Sequence, residues 1–127
     1  MQTLDQQYSA SAYEQVLSIK KDEEYKKYGA MAHKLPILIH TAGLAQALEF
    51  VNSRGKPIQQ RLLEHLAITI GQKDTKTLLQ TVRSASLSSY IRLTKQVLAA
   101  LLWYKRFAQS ILEVDATESL GEERVGQ

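Results

Sequence analysis

The feature that most constrains this chain is an apolar residue at every third or fourth position. The pattern persists through segment after segment, and no alternation is long enough to make a strand. A chain patterned this way buries one stripe of each helix against its neighbours. The expected fold class is all-α, a compact helical bundle of about five to six helices. Leu4, Tyr8, Ala12 and Val16 form the first stripe, with Tyr13 and Leu17 beside it and Asp5, Glu14 and Lys21 facing water. That helix is expected to end near Lys21. Asp22 is placed to cap the second helix, and Glu23 and Glu24 favour its positive N-terminal end.

The second helix runs through Tyr25, Tyr28 and Ala32 to Leu35. Pro36 has no N–H and restrains Leu35, so a kink or a new helix start is predicted there. Ile37, Leu44, Leu48 and Val51 share a face, with Ala42, Gly43 and Ala45 small enough for close approach. Gly55 closes that helix and Pro57 opens the next, which carries the ladder Ile58, Leu62, Leu66 and Ile70 up to Gly71. Asp74 or Thr75 caps a short helix through Leu78, Leu79 and Val82. Ser84, Ser86 and Ser88 mark a further break. A long C-terminal helix follows from about Leu87 to Leu112, roughly 40 Å at 1.5 Å per residue. Its stripe is Leu87, Ile91, Val97, Leu98, Leu101, Ala108 and Ile111. Periodicity fails after Glu113. The expected organisation is a single helical domain over 1–114 and a disordered acidic tail over 115–127.

Much chemistry is missing. With no cysteine, a disulfide scaffold, a thiolate metal site and a Cys nucleophile are excluded. No apolar run reaches the roughly 18 to 20 residues of a transmembrane helix, and the first residues lack the basic and apolar regions of a signal peptide. The expectation is a cytoplasmic protein without membrane contact. His33, His40 and His65 are the only histidines, and none is paired at the i,i+4 zinc spacing. They are expected to be partly exposed helix residues, with no metal and no cofactor. There is no phosphate-cradling glycine loop and no nucleophile elbow. Glu23 and Glu24 are sequence neighbours and point apart on a helix. His33 with Lys34 would suit a small ribonuclease, such as a defence-linked toxin, but adjacent helical residues do not converge. The segment around Ala67 and Gly71 has the look of a helix-turn-helix. Thr77 and Gln80 stand where its second helix needs apolar anchors, so a DNA-binding regulator is a weak alternative.

Charge is the positive signal. The net charge is only +3, but it is unevenly spread. Residues 51–112 hold ten Lys/Arg against two Asp/Glu, whereas residues 113–127 hold one against five. A basic block of this kind attracts a polyanion such as RNA or DNA. On the long helix Arg92, Lys95 and Arg106 fall within one broad face, with Ala99 between them, and Lys105 lies about 100° from Arg106. Lys34 is a further candidate contact. Trp103, beside Leu101 and Leu102, is expected in the core, with base stacking as the alternative.

Two stretches carry a resemblance. The first is Tyr28 to Val51, with Tyr28, Lys34, Leu35, Pro36, Gly43, Leu44 and Phe50 in the pattern. The second is Trp103, Lys105, Arg106, Phe107 and Ala108 in the last helix. Together they resemble the small-subunit family of the CRISPR type III-B effector, the Cmr complex, of which it is the fifth subunit. Many members look basic just after an L-[DE]-Q start; here Leu4-Asp5-Gln6 is followed by Gln7 and Tyr8. The resemblance implies an all-helical, non-catalytic subunit. Several copies would stack beside the backbone subunits, near the large subunit, flanking the duplex of guide RNA and target RNA. Base pairing supplies specificity in such machines, so the protein need only hold phosphates.

Overall fold

The computed structural model describes residues 1–116; the part of the expected acidic tail from residue 117 onward lies outside the described residues. Within them the fold is all-α, with α1 (Leu4–Ile19), α2 (Tyr25–Ala42), α3 (Leu44–Arg54), α4 (Pro57–Thr69), α5 (Thr75–Ser84) and α6 (Leu87–Ser110). α6 packs along α1 and α2. α4 lies against the same two helices, α3 packs beside α2 and α4, and α5 packs on α3 and α4.

The helix ends follow local chemistry. Thr3 and Gln6 form a reciprocal capping box on α1. Asp74 accepts from Thr77 N (2.8 Å), and Ser86 from Ser89 N (3.3 Å), at the starts of α5 and α6. α4 ends in a Schellman motif: Gln72 N donates to Ala67 O and Gly71 N to Ile68 O, with Gly71 at φ +89°.

At two places the helix ends differ from those expected. Pro36 neither breaks nor restarts a helix, since α2 runs through it to Ala42. Ala32, His33, Leu35 and Ile39 are all buried on either side of Pro36, so packing holds the helix where one hydrogen bond is missing. The break falls at Gly43, which takes φ +89°. Gly43 offers α3 no side-chain cap; Ala45 N in the first turn instead donates to the Tyr90 hydroxyl of α6 (3.0 Å). Asp22 does not cap α2 either. Its carboxylate accepts from Glu24 N (2.8 Å) inside the α1–α2 turn, and α2 begins with no side-chain cap.

Burial narrows the stripes. Tyr8, Ala12 and Val16 enter the core, while Leu4, Tyr13 and Leu17 stay exposed, as does Ile37. On α6 the core residues are Leu93, Val97, Ala100, Leu101, Tyr104 and Ala108. Leu87 (77% exposed) and Ile91 face solvent, because they lie about 100–140° round the helix from that line. The core also continues past α6. Glu113 takes φ +58°, the chain turns, and Val114 N donates to Ala108 O (2.9 Å). The buried Val114 side chain packs on the bare face of Gly29, where an added Cβ would sit 2.8 Å from Val114 Cβ.

A polar chain crosses the apolar core. Tyr104 Oη donates to the His65 carbonyl (3.1 Å), so it accepts from Thr69 Oγ1 (2.6 Å). Thr69 Oγ1 in turn accepts from Ser11 Oγ (2.7 Å). From α2, Tyr28 Oη bonds His65 Nδ1 (2.7 Å). Four helices are thereby registered by hydroxyls, those of Tyr28 and Tyr104 belonging to fully buried residues and those of Ser11 and Thr69 to partly buried ones.

Nothing lies within 4 Å of a Cβ added at Gly71, so only its positive φ demands glycine. Gly71→Ala should lower unfolding free energy by about 1–2 kcal/mol, and Gly71→Asn by less. Urea melts of the three proteins, with far-UV spectra unchanged, check this ranking.

Candidate nucleic-acid interface

The outward face of α6 is cationic because its inward face is apolar. With Leu93, Val97, Leu101 and Tyr104 turned into the core, Arg92, Lys95, Lys105 and Arg106 are all exposed. Arg92, Lys95 and Arg106 lie within about 60° of one another and span roughly 21 Å along the axis. Lys105 sits about 100° further round, on another flank. Lys34 is half-buried on α2, between buried His33 and Leu35, and does not belong to the α6 row.

Some cations elsewhere in the fold are ion-paired. Lys27 meets Glu24 (2.8 Å), Arg61 meets Asp22 (3.6 Å) and Arg83 meets Glu49 (2.9 Å). Among the described residues no carboxylate pairs with Arg92, Lys95, Lys105 or Arg106, and α6 itself carries no acidic residue. Such a helix projects a positive field along its outward face.

Arg106 is held differently. Its guanidinium carbon lies 5.2 Å from the centre of the Trp103 ring. Trp103 stacks on Phe107 (5.8 Å, 28°), and Phe107 meets Tyr13 of α1 edge-on (5.5 Å, 78°). Trp103 is thus half-buried at the α1–α6 seam, not in the core as its apolar neighbours predict. Its polar edge explains the position: Nε1 donates to Asp5 Oδ1 of α1 (2.9 Å). Asp5 is therefore engaged, where the sequence pattern only turned it to water. The seam opens into a groove of about 610 Å³ lined by Asp5, Tyr13, Glu14, Trp103 and Phe107, among others. A second groove of about 520 Å³ lies between Glu49, Glu64, Asp74 and Arg83. Glu64 there accepts from Thr75 Oγ1 (2.7 Å).

The histidines correct another expectation. His33 and His65 are buried, not partly exposed; His40 is exposed. His33 Nε2 donates to the Val114 carbonyl (2.8 Å), which tethers the end of the described chain to α2. Its ring faces the interior, so the His33–Lys34 pair weighed for a ribonuclease is not presented together to a substrate. Burial, with the nearby Arg61 guanidinium, lowers the His65 pKa to about 4, against a smaller opposing pull from Glu64. Burial likewise raises the Tyr28 and Tyr104 hydroxyls above their usual range. No cluster of three or more His, Asp or Glu placed to hold a metal occurs among the described residues. No helix among them is long and apolar enough to cross a membrane.

Residues 4–111 match the family model described as CRISPR-associated protein (Cas_Cmr5). The chain belongs to the Cmr5 family. It is 46% identical over 113 residues to the CRISPR system Cmr subunit Cmr5 of Thermus thermophilus, covering 89% of this chain and 99% of that one. The crystal structure of a Cmr5 family protein from the same organism superposes with a TM-score of 0.85 at 46% identity, covering 88% of this chain and 99% of the other. The pattern that resembled the family is mostly architectural here. Tyr28, Leu35 and Leu44 are fully buried, and Gly43 makes the α2–α3 corner; Phe50 is exposed. The Asp5–Trp103 hydrogen bond is what no reading of spacing along one helix reveals, because its partners are 98 residues apart.

His65 makes stability pH-dependent in this Cmr5-family chain. Its folded pKa of about 4 lies below the ordinary 6.5, so between these values the unfolded chain binds the extra proton. Stability is therefore retained above pH 6.5 and lost as pH falls towards 4. Urea midpoints at about pH 7 and pH 4.5 should fall further for the native chain than for His65→Asn; equal falls would remove His65 as the cause.

Proposed function

We infer that this chain is a non-catalytic small subunit of a CRISPR type III-B effector, the Cmr complex, and that it holds RNA through the α6 surface. The observation that carries the reading is an exposed cationic helix face with no carboxylate partner in the described fold, on a chain of the Cmr5 family. The role fits the chemistry. In an RNA-guided assembly base pairing selects the target, so a subunit beside the duplex of guide and target RNA needs phosphate contacts and no base-reading groups. Lys and Arg projected from a rigid helix meet that need, and Arg92, Lys95, Lys105 and Arg106 are the proposed contacts. Lys34 is proposed as a separate contact on α2.

Its other partners would be the backbone and large subunits and further copies of itself in a filament-like stack. Such a stack would set acidic surface of one copy against the basic face of another. The working compartment would be the cytoplasm.

Replacing Lys105 and Arg106 together by Glu reverses two charges at exposed positions, so the fold should survive. Target-RNA binding by the assembled complex should weaken, and its salt dependence should become shallower. Retained affinity in that variant would refute the α6 surface. Co-purification of the chain with a guide RNA and the other subunits tests the assembly itself.

A further inference from the structure

Asp5 is a carboxylate at the edge of a surface proposed to bind phosphate. Charge alone would make it a hindrance. Its geometry says otherwise. Asp5 Oδ1 takes the Trp103 Nε1 proton at 2.9 Å, and the Trp103 ring lies 5.2 Å from the Arg106 guanidinium. Phe107 stacks on the same indole, and Tyr13 closes the cluster from α1. Among the described residues, Arg106 is the one cation of the α6 row with an aromatic ring against its head group. A long, free arginine loses rotamer freedom when it grips a phosphate; one already resting on a fixed ring loses less. A guanidinium held by a π-face also keeps N–H donors for an oxyanion.

We propose that Asp5 is a positioning residue for RNA binding: it fixes the Trp103 indole, which pre-orders Arg106 at the α1–α6 seam for a phosphate. This deepens the RNA-binding reading and rests on it. Arg92 and Lys95 reach solvent without such a support, so Arg106 is the pre-ordered contact of the row. An Asn at position 5 would keep an oxygen acceptor for Trp103 while losing the charge. A Leu would lose both. Both variants forfeit the same favourable charge at the N-terminus of α1, so comparing them cancels that contribution.

The test measures anisotropy of a labelled single-stranded RNA with the full chain at low ionic strength, beside thermal melts showing each variant folded. Asp5→Asn should bind as well as the native chain or tighter. Asp5→Leu should bind about two- to fivefold more weakly than Asp5→Asn, the size of an exposed cation–π contact. Trp103 is the only tryptophan, so its emission should respond to RNA in the native chain and in Asp5→Asn, and less in Asp5→Leu. In an Arg106→Gln background the difference between Asn and Leu at position 5 should vanish. Equal tightening by Asn and Leu would mean that Asp5 acts only as a charge. A difference that persists without Arg106 would overturn the relay while leaving the surface intact. If Arg106→Gln binds RNA like the native chain, the surface reading fails at Arg106 and the relay falls with it.

Discussion

The Tyr104 hydroxyl, buried between α1, α4 and α6, fixes the geometry on which the rest of the molecule depends. Apolar packing alone tolerates small slides and rotations of one helix on another. A buried hydroxyl does not, because each lost hydrogen bond leaves a group without water to replace the partner. Tyr104 must give its proton to the His65 carbonyl and receive one from Thr69, which must receive one from Ser11. Tyr28 adds α2 through the His65 ring. Satisfying all four at once allows one rotation of α6 and one height along its axis.

That rotation decides the surface. Once Tyr104 points inward, the 3.6-residue period sends Arg92, Lys95 and Arg106 outward. The same step lays Trp103 and Phe107 against α1, where Tyr13 and Asp5 meet them. Core and cationic face are thus two consequences of one helical phase. At the far end Val114 folds back onto Gly29 and His33, so the last turn of α6 is anchored to α2 and does not fray into solvent. A surface meant to hold a stiff polyanion gains from such a rigid mount, because little ordering is left for the moment of binding.

Much of this was legible in the sequence. Pro57, Gly71, Asp74 and Ser86 marked helix ends because their chemistry is local: a missing N–H, a positive φ, an oxygen beside a free amide. The α6 cations were legible because periodicity alone puts them opposite the apolar stripe. Pro36 starts no new helix because one missing hydrogen bond weighs less than four buried neighbours. Leu87 and Ile91 misled because an apolar stripe in sequence is wider than the contact a neighbouring helix makes. The histidines misled because their burial is set by Tyr28 and Val114, distant partners that no local rule names.

By itself the sequence determined the all-helical class, most of the helix boundaries and the sign of charge on the long helix. Each of these follows from residues within a few positions of one another. Tertiary structure alone decided that Asp5 belongs to Trp103, that Gly43 rather than Pro36 turns the chain, and that the core reaches Val114. Those outcomes depend on which helices meet at which rotation, and that is fixed by packing and by buried hydrogen bonds between residues far apart in the chain.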